Sequence, residues 1–402
     1  PAEGGQRLSD GRTAALAQAP ALGAGQLGGR ADGTAPVTVR TTEDGGQLLE
    51  NGLVRILVDR EGLVRSAVDL GTGRDAVAPG GAGNLLQLHR DDPPRGSAWN
   101  LEAGHHAPHR DLDLATGVEV TERGPLLATV RVRRTTGRSA VTQELTLTAG
   151  GRSLAVTTDV DWRERDTLLK AAWPLDVHAE RSTGEIQFGH VERATHENTS
   201  WEAARYELWA HRWIHVGEHN WGVALACDAT YGYDVSRHTR EDGGTTTTVR
   251  LSLLRAAHSP DPHADRGPQR FRHTLRPGAG VGDAVAEGYA LNLPLRPAPG
   301  PAAAAEPLIS VGHPDVVVEA VKLADDRSGD VVVRLYESRG GRVATTLTAG
   351  FPVREVRETD LLEETLAVRP HEHGTVPLTL RPFQILTLRL VRAAESPGDI
   401  DD

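Results

Sequence analysis

Along this chain the apolar positions recur mostly at every second residue, in short runs broken by Gly, Asp, Asn and Pro. A period of two sends one side of an extended segment into a core and the other into solvent, whereas a helix needs a period near 3.6. Strands are therefore predicted over 53–58, 64–70, 85–88, 118–120, 126–132, 141–147 and 154–160, with turns such as Asp59-Arg60-Glu61-Gly62 and Ala149-Gly150-Gly151 between them. Another strand follows at 247–254, and 271–275 with 284–295 complete a large domain. Beyond the Pro/Ala-rich stretch 294–307, strands are predicted at 316–323, 331–336, 343–347, 353–356 and 383–390.

Many strands without intervening amphipathic helices argue for an all-β chain built of antiparallel sandwiches. A doubly wound nucleotide fold is excluded, because it needs alternating helices and a Gly-rich phosphate turn. The expected layout is an irregular lead-in or small β edge over 1–48, a large β-sandwich over 49–293 and a linker over 294–307. A smaller C-terminal β-sandwich domain over 308–392 and an acidic, disordered tail over 393–402 complete it.

One stretch stands out. From Trp162 to Val235 lie six of the seven Trp and, from His178 on, six of the 17 His. Large aromatic rings dominate both cores and contact surfaces, so a ligand or partner is expected to touch this segment. Read as one strand, 206–216 puts Glu207, Trp209, His211, Trp213 and His215 on a single face, which is too polar for a dry core and suits an interface.

Composition narrows the partners. With 44 Lys and Arg against 55 Asp and Glu, the net charge is −11, and basic residues are scattered, so nucleic acid and anionic membranes are not expected partners. Cys227 is the only cysteine and sits in an apolar run, which reads as a packed thiol in a reducing, cytoplasmic setting. The chain has no Met and begins with Pro, so it reads as a piece of a longer protein lacking its N-terminal part.

Several constellations could carry chemistry. His105, His106, His109, Asp111 and Asp113 form the densest set of metal-ligand types, yet their polar, Pro-containing surroundings read as a solvated loop. His371 and His373 are read the same way. Asp261, His263 and Asp265 lack a nucleophile and read as turns closed on their own backbone. Lys170, inside an apolar strand, needs a carboxylate partner, with Asp176 or Glu202 as the expected choice.

The order of certain blocks is specific. They include Leu49-Glu50-Asn51-Gly52, Asn84-Leu85-Leu86-Gln87-Leu88 with Trp99, and Leu169-Lys170-Ala171-Ala172-Trp173-Pro174-Leu175-Asp176-Val177. Next come Phe188-Gly189, Arg193-Ala194-Thr195-His196, Asn198-Thr199-Ser200-Trp201-Glu202, Trp213, Gly222-Val223-Ala224-Leu225 and Tyr231-Gly232-Tyr233. Leu251-Ser252-Leu253-Leu254-Arg255, Pro260-Asp261-Pro262 with Asp265, Val321-Lys322, Val333-Arg334-Leu335-Tyr336-Glu337 and Pro382-Phe383-Gln384-Ile385-Leu386-Thr387-Leu388 close the series. In this order the chain from about residue 49 onward resembles the C-terminal half of glycoside hydrolase family 38, the zinc-dependent retaining α-mannosidases. It departs from that pattern at Arg266-Gly267-Pro268-Gln269, where the family has a His-containing run.

The resemblance implies a large sandwich of the galactose-mutarotase-like super-sandwich kind. It places the zinc and both catalytic carboxyl groups in an N-terminal catalytic barrel outside this chain, so no catalytic residue, metal ligand or cofactor is expected here. This chain would brace that barrel, its partner, and help form a pocket for α-mannoside glycans. The sugar-facing residues so implied are Arg193, His196 and Trp201, joined by Trp209, His211 and Trp213 from the period-two face. A homo-oligomer is a further possible assembly through the Trp face. The alternative reading is a stand-alone carbohydrate-binding sandwich without hydrolase activity.

Overall fold

The computed structural model describes residues 5–25, 34–93, 96–102, 109–299 and 305–393. His105 and His106, and the tail beyond 393, lie outside the described residues. The fold is all-β, and among the described residues the strands named below pair antiparallel. Two compact units are present. One takes its residues from 1–16, 28–186 and 191–294, and the other from 17–27, 187–190 and 295–402.

The first unit is built on two large sheets. Nine strands lie in the order Gly117–Arg123, Leu127–Thr136, Ser139–Thr148, Leu154–Trp162, Gly267–Pro277, Gly222–Cys227, Trp213–Gly217, Arg181–Ile186 and Gly189–Ala194. Six others lie in the order Leu208–Trp209, Gly232–Thr239, Thr245–Leu254, Thr167–Leu175, Leu85–Arg90 and His109–Asp111. Buried residues of both sheets, including Val130, Leu145 and Val156 from the first and Leu86, Leu169 and Trp173 from the second, form one core.

The period-two pattern does its work in Ser139–Thr148 and Leu154–Trp162, where Val141, Leu145, Leu147, Leu154, Val156 and Trp162 are buried on alternate positions. Thr167–Leu175 is apolar nearly throughout because both of its faces are covered, and Trp173 and Leu169 are fully buried.

Within the stretch 284–295, expected to close an all-β domain, residues 284–292 belong instead to the helix Val281–Asn292. The Asp283 carboxylate accepts the Gly280 N–H at 2.9 Å at its start, and Arg276 of the neighbouring strand binds Asp283 and Glu287 at 2.6 and 3.1 Å. In the second unit, a sheet ordered Val316–Leu323, Val331–Glu337, Ile385–Arg392, Val353–Thr359 and Thr365–Arg369 shares a separate core with the sheet Ile309–Val311, Val343–Ala349 and Thr375–Leu380. Among the described residues no helix is long and apolar enough to cross a membrane.

Candidate functional site

The stretch 206–216 is not one strand. Leu208–Trp209 pairs with Tyr233 and Gly232 in the six-stranded sheet, whereas Trp213–Gly217 pairs with Cys227's strand in the nine-stranded one. Between them the chain crosses from sheet to sheet, held by Glu185. Its backbone carbonyl accepts the His211 N–H at 3.0 Å, and its carboxylate accepts the Arg212 N–H at 2.7 Å and the Arg212 guanidinium at 2.7 Å. A crossing of this kind breaks the period, so the expected common face does not exist.

That break corrects one assignment. Trp213, expected to face sugar, is 1% exposed and lies under the helix Val281–Asn292, where a Cβ on Gly288 would stand 2.9 Å from its ring. It is a core residue. Trp209, four positions earlier, is 48% exposed.

Arg193 extends from Gly189–Ala194 so that its guanidinium lies 5.0 Å from the centre of the Trp209 ring. Gly184 gives it room, since a Cβ there would come within 3.2 Å of both Arg193 Nη1 and the Tyr233 hydroxyl. Tyr233 is buried and its hydroxyl lies 3.3 Å from Ser182 Oγ. Burial raises the Tyr233 pKa, while Ser182 and the Arg193 charge act in the opposite direction. His211 stacks on Tyr231 with ring centres 5.6 Å apart, and its Nδ1 is 3.7 Å from the Glu185 carboxylate.

The structure thus joins Arg193 to Trp209 and His211 to Tyr231. His196 and Trp201 make local contacts instead. His196 Nδ1 accepts the Asn198 N–H at 3.3 Å, and Trp201, 66% exposed, stands on the short helix Ser200–Ala203 capped by Thr199.

Lys170 does have carboxylate partners, but they are not Asp176 and Glu202. Its ammonium donates to Glu207 and Asp234, each at 2.6 Å, and Asp234 also receives Arg250 at 2.7 Å. Asp176 instead binds Arg240, and Glu202 binds Arg205. Burial raises the Glu207 pKa, Lys170 opposes that rise and the Asp234 charge adds to it. Sequence reasoning places Glu207 on the contact face and misses its pairing with Lys170. The signal available was Glu207 beside Trp209 on an alternating stretch, opposite a lysine that needed a partner.

Glu207, Ser252, Tyr231, Leu168, Leu253 and Leu254 are among the residues lining a cavity of about 300 Å³. A second, more polar cleft of about 500 Å³ includes His178, Glu180, Glu192, His215 and His219 in its lining.

The remaining candidates make local contacts. His109 and Asp111 both contact Gln87, at 2.9 Å. Asp261 accepts the His263 N–H and Asp265 accepts the Arg255 N–H, so that loop closes on its own backbone. His371 accepts the Gly374 N–H in the same way. Among the described residues, Asp92, Asp166 and His258 are the one group of His, Cys, Asp or Glu whose ligand atoms all lie within 4.8 Å of each other. Asp92 is paired with Arg90 at 3.0 Å and Asp166 with His258 at 2.8 Å.

Comparison with known proteins decides the family. The model of the "Glycosyl hydrolases family 38 C-terminal domain" matches residues 49–263, more than half of the chain, and that of the "Glycosyl hydrolases family 38 C-terminal beta sandwich domain" matches 315–388. The chain belongs to glycoside hydrolase family 38.

Within family 38 it is 37% identical to human alpha-mannosidase 2C1 over 89% of this chain and 34% of that protein. It is 29% identical to alpha-mannosidase G of Dictyostelium discoideum, over 86% of this chain and 32% of that one. The chain therefore spans about a third of the length of these relatives. The crystal structure of an alpha-mannosidase from Enterococcus faecalis V583 superposes with a TM-score of 0.68 at 17% identity, covering 85% of this chain and 42% of that one, a likeness of fold. The family 38 match accounts for the ordered blocks from Leu49 to Leu388.

Proposed function

We propose that this chain is the non-catalytic β portion of a zinc-dependent retaining α-mannosidase, which hydrolyses terminal α-mannosides in the intact protein. Its role is to brace a catalytic region outside these residues and to offer Arg193, Trp209 and His211 to the sugar. The observation that carries this reading is the pair of family 38 C-terminal matches, in order along the chain, against relatives named as alpha-mannosidases of which it spans about a third.

Arg193 suits the role chemically. Its planar donors can bind paired sugar hydroxyls, it stays charged, and Trp209 beneath it holds the plane. A zinc ion would supply Lewis-acid binding of sugar hydroxyls, but the Asp92, Asp166 and His258 group does not fit it. Its two carboxylates already neutralise Arg90 and pair with His258, and Asp92 and His258 are exposed. A retaining mechanism, which needs two carboxyls about 5 to 5.5 Å apart, then belongs to the catalytic region outside these residues. A reducing, cytoplasmic setting suits Cys227, a buried thiol whose pKa burial pushes up to about 12.

The test compares the 402-residue chain with a protein that also carries its upstream coding sequence. The longer protein is expected to release the phenol from an aryl α-mannoside, to lose this on chelation and to regain it with zinc, with retained anomeric configuration by proton NMR. The 402-residue chain should be inactive. Hydrolysis by the chain alone, or none by the longer protein at any zinc loading, overturns the reading; sugar binding without hydrolysis in both would make the chain a binding module.

A further inference from the structure

The strand Thr365–Arg369 is the outermost of its five-stranded sheet and is joined on one side by Val353–Thr359. On its other side, among the described residues, no backbone hydrogen bond reaches 365–369. An edge of this kind presents unpaired N–H and C=O groups, which are a template for another strand.

Its side chains add to that. Val368 lies opposite Arg357 in the register, next to Val356, which is fully buried in the core of this unit. Val368 and Leu366, two positions apart, therefore share the face turned away from that core, and they are 64% and 65% exposed. In the turn before them Leu361 and Leu362 are 61% and 83% exposed, and among the described residues no large apolar side chain is more exposed than Leu362. Natural edges are commonly guarded by lysine or proline along the strand. Here Pro370 comes only after Arg369, where it limits the length of pairing without blocking it.

The order of side chains along the edge decides what fits it. Glu364 stands exposed at one end, and Arg369 stands at the other, its guanidinium holding Glu358 while 42% exposed. A second copy laid antiparallel about Ala367 sets Leu366 opposite the partner's Val368 and Val368 opposite the partner's Leu366, an apolar pair on each side of the axis. Ala367, a small residue, meets itself there, and each Glu364 comes to the end that carries the partner's Arg369. A parallel arrangement would set Glu364 against Glu364, and a peptide of one charge would match only one end. A two-fold contact uses the same edge on both copies, so it closes at two.

We propose that Thr365–Arg369 is a dimerisation edge, to which a second copy of this chain adds its own Thr365–Arg369 antiparallel with the two-fold axis at Ala367. The edge is separate from the tryptophan-bearing stretch 162–235, and the proposal does not depend on the α-mannosidase reading. Five residues a side make a small contact, so the dimer is a weak and reversible one.

The experiment is sedimentation velocity on the 402-residue chain over a concentration series up to about 1 mM, the weak limit of specific association. A monomer–dimer equilibrium is expected, weakened about tenfold or more by Leu366→Lys and by Val368→Lys, because the two-fold repeats each loss. Leu114→Lys, at a leucine of the first unit that is 72% exposed, should leave it unchanged. All three side chains are exposed, so the variants keep the fold, checked by far-UV circular dichroism. Ala367→Cys should give a disulfide-linked dimer on oxidation, since directly opposed residues of antiparallel strands lie about 4.5–5.5 Å apart at Cα, within disulfide reach. Thr365→Cys should not, and the native Cys227 is buried. A chain that stays monomeric across the series, or a dimer as strong in Leu366→Lys, overturns the proposal. Linkage through Thr365→Cys but not Ala367→Cys overturns it as well, since the axis would then lie elsewhere. If the chain is monomeric and the amides of 366–368 are protected from exchange only in the longer protein, the edge belongs to the upstream region and the proposal falls.

Discussion

His273 has no room to be charged. It lies fully buried on Gly267–Pro277, edge-on to Trp173 at 5.8 Å, and burial drives its pKa from 6.5 down to about 4. The unfolded chain takes up a proton on this residue near pH 6.5, while the folded one does so only near pH 4. Between those values the unfolded state binds the extra proton. Stability contributed by neutral His273 is therefore present above pH 6.5 and lost as the pH falls toward 4, by at most about 3 kcal/mol. His273→Leu should remove this part of the acid dependence, measured as urea midpoints across that window; an unchanged slope would show that the imidazole does not titrate so low. Lys170 is the opposite case, a buried charge that is fully compensated. Lys170→Met would leave Glu207 and Asp234 facing each other without the ammonium and should cost about 3–5 kcal/mol in denaturant unfolding.

At the scale of elements, the crossing at 210–212 separates two tryptophans that the alternation had put together. Trp213→Ala would empty a space beneath the helix Val281–Asn292 and should cost about 3–5 kcal/mol. Trp209→Ala removes a half-exposed ring and should change stability by less than about 1 kcal/mol, since a cation–π contact at such a site is worth about that much. Parallel thermal melts of the two variants check the difference, and equal losses would contradict the two-sheet assignment. Gly288→Val should resemble Trp213→Ala in sign, because its side chain would collide with the same indole and with Arg212. The regular strands were legible beforehand, since alternation and turn residues mark them locally. The helix was not, because 284–295 carries no sharp apolar periodicity of its own and the capping residue Asp283 lies just outside that range.

At the scale of the whole chain, the smaller unit is not a simple C-terminal appendage. It draws in segments from far earlier, where Ala24 exchanges backbone hydrogen bonds with Ala305 and Phe188 meets Tyr336 edge-on at 5.6 Å. His190 likewise packs edge-on against Phe383 at 5.0 Å. A fragment comprising only 305–393 would lose both aromatic pairs, which should lower the melting midpoint of this unit by roughly 5–15 °C relative to the unit in the full chain. Differential scanning calorimetry of chain and fragment reads this directly, and matching midpoints would show that the borrowed segments add nothing.

The sequence by itself determined what depends on near neighbours and on ordered blocks: the all-β class, most strands, the family, the need of Lys170 for an anionic partner and the local turn at 261–265. Only the tertiary structure decided which carboxylates reach Lys170, that Trp213 is core while Trp209 is surface, and that Glu207, Ser252 and Tyr231 share one cavity. The physical reason is distance along the chain. Periodicity reports the environment of a residue within its own strand, but the partners of Lys170 lie 37 and 64 residues away, and the face a tryptophan presents depends on which sheet its strand joins.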